Sequence, residues 1–339
     1  MRFIVCCVLI TLSFQAKCLE IEGEFFVGNA PKEIVVIGTA EFSRVQPVFA
    51  GFVSEQKELQ VRYLQMSSRE IDRAVRSGLS PDIDLVMSSA VDLQVRLVND
   101  GYATAFEPGL AVDFGWRGEL VQYSLEPVVT IFNVARLSDF ERVRTRRDLA
   151  RFLERSSGKS LRLTLYDPDV SGVGYLLSRQ DLVQDEHFWS LLDVFSAQRL
   201  EPNCCSGDMI DRVINGESDL AYNVLESYVL PRLEDAPNLK ILRFDDYQLA
   251  IPRTAFIPKQ ADGPGSANKL VRYLVSEEGQ NRLAPGVRLD VIQANRKGGP
   301  IKPIRITPAL VVHLDDMNRR RFFQRWNRSV QTPLNTAPR

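Results

Sequence analysis

Short apolar runs alternate with amphipathic segments along most of this chain. The run Glu33–Gly38 is β-branched and apolar, and Ser43–Glu55 follows it with apolar residues at helical spacing. The pattern repeats with an alternating run at Leu59–Leu64, followed by a helix that Ser67 and Glu70 start as a capping box. Strands alternating with such helices pair in parallel through right-handed crossovers. The sequence therefore predicts an open α/β sheet covered on both faces.

The pattern restarts in the middle of the chain and predicts a second unit of the same kind. Pro127–Asn133 is a β-branched run, and a helix capped by Thr145 and a strand at Leu161–Tyr166 follow it. Strands at Asp219–Asn223 and Leu239–Phe244 complete the second unit. About 320 residues remain beyond the N-terminal segment described below, which favours two lobes over one core.

The pattern of the C-terminal part indicates that the chain returns to the first α/β unit. A helix is expected over Ser266–Leu283, then an extended, proline-punctuated stretch over Ile301–Leu314. Asp316–Trp326 is typical of an amphipathic helix, and we expect its aromatic side chains to be buried against the first lobe. Residues 331–339 are expected to be disordered.

The N-terminus has the pattern of a secretory signal. Met1 and Arg2 precede an apolar run over Phe3–Phe14, which is too short for a membrane span. We expect cleavage after Cys18 and a mature protein in the periplasm. Lipid attachment at Cys18 is the weaker alternative, because Lys17 stands where a small residue is needed.

Composition and cysteine content exclude several classes of protein. With 25% charged residues and a net charge of -1, the chain gives no electrostatic reason to bind nucleic acid. Three of the five cysteines lie in the N-terminal signal, which leaves only Cys204 and Cys205 in the mature protein. Two adjacent cysteines cannot link distant parts of the chain, so a framework of disulfides is excluded. Two buried thiols beside a helix start are favoured over a vicinal disulfide.

The loops after the predicted strands are small and rich in hydroxyl groups. Open α/β sheets bind ligands at the carboxyl ends of their strands. Each of these loops also opens a helix, whose amino end attracts anions. We therefore predict an anion site built from Thr39, Ala40, Glu41, Ser88, Ser89, Ser171 and Gly172. The alternative is that Ser88 or Ser171 only caps its helix.

Tyr222 and Asn223 end a predicted strand and are further candidates for ligand contact, although Tyr222 could equally be a core aromatic. No pattern favours an enzyme. Gly172 and Gly174 lack the rest of a nucleotide fingerprint, so no nucleotide or other cofactor is predicted. The two histidines have no partner at metal spacing, which leaves no predicted metal site and no catalytic triad.

Several segments, in this order, resemble the type II periplasmic solute-binding proteins of ABC importers, which include ferric-ion, hexose-phosphate and phosphonate-type binders. They are IVVIGTAEF, DLVMSS, EPVVTIFN, DPDVSGVGY, GESDLAYNV and KLVRYLVSEEGQNRLA. The resemblance implies two α/β lobes, each an open, mostly parallel sheet with helices on both faces, joined by hinge strands. It places the signal peptide at 1–18, lobe 1 at 19–127 and 248–330, and lobe 2 at 128–247.

The resemblance also implies a function. A monomer would capture a small anionic solute in the interlobe cleft and dock on an inner-membrane permease, with hinge crossings near Pro127–Thr130 and Tyr247–Arg253. Presentation of the solute to a membrane sensor kinase is the alternative, and ferric-ion binding is a second one. Iron-binding members have two adjacent tyrosines after the strand that matches Asp219–Asn223, whereas Tyr222 and Tyr228 stand apart here.

Overall fold

The computed structural model describes residues 19–78, 82–110, 115–137, 140, 142–156, 158, 160–283 and 300–331. Its strands are β1 (Gly23–Val27), β2 (Lys32–Gly38), β3 (Leu59–Gln65), β4 (Ile83–Ser88), β5 (Ala103–Thr104), β6 (Gly115–Trp116), β7 (Leu120–Asn133), β8 (Arg162–Tyr166), β9 (Arg199–Asn203), β10 (Leu220–Leu225), β11 (Leu239–Leu242), β12 (Gln248–Pro258) and β13 (Ile301–Pro303). Sequence patterns predict neither β1 nor β9, which lie at the two outer edges of the strand order.

The helices are α1 (Phe42–Glu55), α2 (Ser68–Ser77), α3 (Val91–Asn99), α4 (Arg146–Arg155), α5 (Gly172–Gln184), α6 (Phe188–Ser196), α7 (Ser206–Ile214), α8 (Glu226–Val229), α9 (Pro264–Val275), α10 (Glu277–Asn281), α11 (Ala309–Val312) and α12 (Asp316–Gln331). Residues Leu230–Arg232 form a 3-10 turn. Of these helices, none is long and apolar enough to cross a membrane.

Two long strands, β7 and β12, run between two lobes. In the first lobe β2 pairs in parallel with both β3 and β4, and β12 pairs with β4 and with the first half of β7. In the second lobe β8 pairs in parallel with β9 and β10, while the second half of β7 pairs with β10 and β11. The partners of β7 change between Pro127 and Val128. The predicted lobe boundaries at residues 127 and 247 remain predictions.

Each lobe buries apolar side chains between its sheet and its helices. In the first lobe Phe49 and Phe52 of α1 pack with Tyr63 of β3. In the second lobe Leu163 of β8 packs with Phe195 of α6. All fourteen residues of β7 are buried, because this strand is covered in both lobes. The long strands thereby hold the carboxyl ends of the other strands in fixed positions around the space between the lobes.

The C-terminal part differs from its prediction in three ways. The helix expected over Ser266–Leu283 is broken at Ser276, whose extended backbone ends α9 and whose side chain accepts a hydrogen bond from Gly279 N. The stretch expected to be extended contains the short helix α11. Helix α12 packs on the second lobe instead of the first, because Phe322 and Trp326 join the apolar cluster around α6. The expected burial of these two aromatic side chains is confirmed.

Candidate functional site

A cleft of about 380 Å³ lies between the two lobes. The first lobe lines it with residues that follow β2, β3 and β4, and the second lobe with residues that follow β8, β9 and β10. Carboxyl ends of parallel strands meet at one edge of a sheet, which explains why these separate loops converge. Polar residues that line it include Thr39, Gln65, Ser89, Tyr166, Ser206 and Tyr228.

Four helices begin at this cleft, two from each lobe. The residues that precede α1, α2, α5 and α7 are Glu41, Ser67, Ser171 and Cys205, and all four line the cleft. Ser67 accepts a hydrogen bond from Glu70 N, and Ser171 accepts one from Gly174 N. The first amide groups of a helix have no partner within the helix and carry the positive end of its dipole. The cleft is therefore bordered by the positive ends of four helix dipoles.

Polar side chains of the first lobe are held in place by backbone groups. Thr39 Oγ1 accepts a hydrogen bond from Ser89 N at 3.2 Å, which joins the loops after β2 and β4. Gln65 Oε1 accepts one from Phe42 N at 3.1 Å, and Gln65 Nε2 donates to Glu22 at 3.1 Å. These bonds fix the wall before any ligand enters, which lowers the entropic cost of binding.

The second lobe contributes two buried phenols. Tyr166 OH and Ser206 Oγ lie 2.6 Å apart, and Ser206 Oγ also accepts a hydrogen bond from Leu225 N at 2.8 Å. Tyr228 OH accepts one from Glu41 N of the opposite lobe at 3.2 Å. Burial raises the pKa of both tyrosines, so both phenols stay protonated at neutral pH.

The lobes contact each other directly at the rim of the cleft. Arg44 Nη1 of the first lobe donates to Ser227 O of the second at 3.2 Å. Arg69 Nη2 donates to Pro168 O at 3.1 Å. Together with the Tyr228–Glu41 hydrogen bond, these contacts show that the structure is a closed arrangement of the lobes.

The charged side chains that line the cleft are acidic. Glu22, Glu41 and Asp208 line it, and among the described residues no lysine or arginine does. Removal of water by burial raises the pKa of Glu41, and the neighbouring Asp211 and Asp208 act in the same direction, whereas Arg44 and Arg232 lower it. The cleft thus combines helix amino ends with carboxylate hydrogen-bond acceptors.

A buried ion pair lies where the long strands cross behind the cleft. Glu126 of β7 is 1% exposed, and its Oε2 lies 3.0 Å from Arg253 Nη2 of β12. The same carboxylate accepts hydrogen bonds from Ser227 N at 2.8 Å and Ser227 Oγ at 3.0 Å. Ser227 follows β10 in the second lobe, so this pair connects both crossing strands to the second wall of the cleft.

The structure brings part of the predicted site together. Thr39, Glu41, Ser89 and Ser171 line the cleft. The other loop residues lie behind this layer: Ala40 O accepts a hydrogen bond from Tyr63 OH, Ser88 Oγ accepts one from Ala90 N, and Gly172 packs against Ser68. Ser88 does not cap α3, whose first residue follows Ala90 without a side-chain cap, whereas Ser171 does cap α5. Ligand binding by the four lining residues stays a prediction.

The placement of Tyr222 and Asn223 in the cleft is wrong. Both lie in the interior of the second lobe, where Tyr222 OH and Asn223 Nδ2 donate hydrogen bonds to Asp181 Oδ2. The register of β10 shifts between Ala221 and Val224, and Asn223 has a left-handed φ of 62°. This bulge continues the strand to Leu225, so the residues that reach the cleft come later, at Leu225 and Tyr228.

Sequence reasoning also missed Gln65, Tyr166, Ser206 and the role of Tyr228. Tyr166 is the last residue of a predicted strand, and its position at the carboxyl end was a usable signal. Ser206 lies after β9, which carries no alternating apolar pattern. The prediction for Cys204 and Cys205 was wrong as well: they form a disulfide beside the start of α7, and neither is buried.

No family model and no curated protein matches the chain in sequence. Among solved structures, the substrate-binding protein of an ABC transporter from Agrobacterium tumefaciens is similar with a TM-score of 0.83 and 25% identity, covering 91% of this chain and 98% of that one. Iron-bound HitA from Pseudomonas aeruginosa is similar with a TM-score of 0.64 and 16% identity, covering 88% and 99%.

The periplasmic binding protein AfuA from Actinobacillus pleuropneumoniae, with fructose-6-phosphate bound, is similar with a TM-score of 0.67 and 13% identity, covering 89% and 99%. All three are binding proteins, and they support a substrate-binding protein of the ABC-transporter type. The fold prediction is confirmed: the chain has the two-lobed fold of the type II periplasmic solute-binding proteins, and it resembles the substrate-binding proteins of ABC transporters.

Proposed function

We propose that this chain is the periplasmic solute-binding component of an ABC importer and that it captures a small organic anion with hydrogen-bond donors of its own. The observation that carries the proposal is the convergence of four helix amino ends, two from each lobe, on one cleft. Export through the N-terminal signal belongs to the same proposal. No catalytic step is part of it.

The anionic group belongs at the amino ends of α2 and α5. Ser67 and Ser171 precede these helices in opposite lobes, each accepts a hydrogen bond from its own helix, and both line the cleft. An anion that contacts both helix ends binds the closed arrangement better than the open one, since it interacts with both dipoles only when the lobes meet. Closure would thereby be coupled to capture.

The carboxylates define the rest of the solute. Glu41 and Asp208 accept hydrogen bonds and repel additional negative charge, so a solute with a single anionic group and several hydroxyl or amino groups fits better than a bare polyanion. A phosphorylated or carboxylated organic compound has this chemistry. Fructose-6-phosphate, bound by the similar AfuA, is one compound of this kind.

A ligand screen followed by one matched pair of variants tests the proposal. The mature protein is first screened by thermal shift against sugar phosphates, glycerol phosphates, phosphonates, dicarboxylates and ferric citrate, because a ligand of the folded state raises the midpoint. The compound with the largest shift is then titrated calorimetrically into Ser171→Asp and Ser171→Asn. Asp and Asn cap helices about equally well, so the two variants differ mainly in charge.

We expect Ser171→Asp to weaken binding at least about tenfold relative to Ser171→Asn, because a negative charge at the start of α5 repels the anionic group. Equal affinities would contradict an anion at this helix end. Tighter binding to the Asp variant would indicate a cationic group instead. A screen without any shift would remove the support for an organic anion as the solute.

A further inference from the structure

The start of α7 brings sulfur and oxygen donors together on the second wall of the cleft. Asp208 Oδ2 lies 3.2 Å from the Sγ atoms of both Cys204 and Cys205. The two sulfurs and the carboxylate lie within 4.8 Å of one another, and all three residues line the cleft. The proposed anion position at α2 and α5 does not use the two sulfur atoms, although the proposed function does use Asp208 as a hydrogen-bond acceptor for the solute.

We propose that reduction of the Cys204–Cys205 disulfide converts this cluster into a binding site for a thiophilic divalent cation such as Zn²⁺ or Cd²⁺. A dithiol reductant supplies two electrons and two protons; the S–S bond breaks, two thiols form, and the reductant becomes a disulfide. Both thiols then lose their protons to water as the cation binds, because the thiolate is the form that ligates metals.

The spacing of the donors suits one cation. Zn²⁺ binds sulfur at about 2.3 Å and carboxylate oxygen at about 2.0–2.2 Å, and tetrahedral geometry then separates two sulfur ligands by about 3.8 Å. Reduction frees the sulfurs of adjacent residues to separate to that distance. Asp208 needs no large movement, since its carboxylate already contacts both sulfurs.

A fourth donor comes from the opposite lobe. Glu41 Oε1 approaches the start of α7 so closely that a Cβ atom on Gly207 would lie 2.7 Å from it. Gly207 lies between Cys205 and Asp208 in the sequence, so Glu41 faces the cluster from across the cleft. A cation held by both thiolates, Asp208 and Glu41 would connect the lobes in their closed arrangement.

The charge of this part of the cleft also favours a cation. The lining carries carboxylates without a lysine or arginine among the described residues, and reduction adds two groups that ionise on metal binding. The positive amino end of α7 repels a cation, but it also stabilises the thiolate form of the cysteines. The second effect offsets part of the first. Soft sulfur donors select Zn²⁺ or Cd²⁺ over Mg²⁺ and Ca²⁺.

Titration of the mature protein with Cd²⁺ tests this site. The protein is reduced with dithiothreitol, freed of reductant under nitrogen, and titrated while the ultraviolet charge-transfer band of cadmium thiolate is recorded. We expect one ion per chain and a full band in the reduced protein, and no band in the oxidised protein or in the double variant Cys204→Ser/Cys205→Ser. Mg²⁺ should not compete with Cd²⁺.

Asp208→Asn and Glu41→Gln then test the oxygen donors. We expect Asp208→Asn to weaken Cd²⁺ binding at least about tenfold and Glu41→Gln to weaken it less, since Glu41 contributes only when the lobes are closed. Absence of the band in the reduced protein, or unchanged affinity in Asp208→Asn, would overturn the proposal. If the double serine variant does not fold, the oxidised wild type remains the metal-free control. Solute capture is screened on the oxidised protein, so failure of one proposal is distinguishable from failure of the other.

Discussion

Two groups of polar residues lie near β10: one is buried inside the second lobe, and the other lines the cleft between the lobes. In the interior of the second lobe, Asp181 accepts hydrogen bonds from Tyr222, Asn223 and Tyr247 and lies 3.7 Å from Arg146; we call these five residues the Asp181 network. In the cleft, the hydroxyl and carboxylate groups face open space between the lobes.

The difference lies in whether the groups face one another inside a lobe or line the cleft. Arg146 is 4% exposed, yet it donates to Asp246, Tyr247 O and the hydroxyl of Tyr222. The three hydroxyl and amide donors of this network bond to Asp181, and Arg146 bonds to Asp246, Tyr247 O and Tyr222, so the network stabilises the lobe. Polar residues at a strand end indicate a binding site only where they also line an open cleft, as Thr39 and Tyr166 do.

Removal of Asp181 should produce the largest effect on stability. Asp181→Ala leaves three buried donors without their acceptor and removes the carboxylate 3.7 Å from the buried Arg146 guanidinium. We expect a loss of about 3 to 5 kcal/mol in the free energy of unfolding, measured with urea. Asp245→Ala is the matched control, because Asp245 forms an exposed ion pair with Arg144 and should cost at most about 1 kcal/mol. Similar losses in the two variants would contradict the distinction between interior and surface pairs.

Asp92 provides a buried carboxylate with far fewer partners than Asp181. It is 2% exposed, its Oδ1 accepts a hydrogen bond from Leu93 N, and burial raises its pKa to about 7, although Arg96 and Arg319 act in the opposite direction. The folded state therefore prefers the protonated form. Its ionisation destabilises the protein progressively as the pH rises from about 4 to about 7.

Asp92→Asn should thus be more stable than the wild type above pH 7, by at most about 4 kcal/mol, and equal to it near pH 4. Urea unfolding across this pH range measures the difference. Asp148→Asn is a control of opposite sign, because hydrogen bonds from Thr145 lower the pKa of Asp148. Its deficit should be present at pH 7 and disappear as the pH falls below the pKa of Asp148 in the folded state. A pH-independent effect of Asp92→Asn would refute the ionisation argument.

The sequence predicts the cleft residues of the first lobe better than those of the second lobe. Strands β2, β3 and β4 have strong apolar patterns, so the loops that carry Thr39 and Ser89 could be placed at one sheet edge. Strand β9 has the sequence Arg-Leu-Glu-Pro-Asn and no such pattern. The loop with Cys204 and Ser206 therefore could not be placed at the sheet edge from the sequence.

The bulge in β10 shows a second limit of sequence reasoning. Nothing in the pattern of Leu220–Leu225 distinguishes a regular strand end from one that turns Tyr222 and Asn223 into the lobe. Their partners Arg146 and Asp181 are remote in sequence, and only the tertiary structure shows that the donors and acceptors match.

The Glu126–Arg253 ion pair is buried like the Asp181 network, but it also contacts Ser227 next to the cleft. Ser227→Ala tests its role. The variant removes one hydrogen bond to Glu126 while the backbone bond from Ser227 N and the Arg253 ion pair remain, so we expect a loss of about 1.5 to 3 kcal/mol in the free energy of unfolding. Ser218→Ala is a suitable control: Ser218 is 1% exposed, and within the described residues its hydroxyl has no hydrogen-bond partner, so its removal should cost little.

Because Ser227 connects the crossing strands to the part of the cleft that the second lobe lines, Ser227→Ala should also reduce the compaction that solution scattering detects on ligand binding. A stability loss with unchanged compaction would assign Glu126 to the fold alone, as Asp181 is.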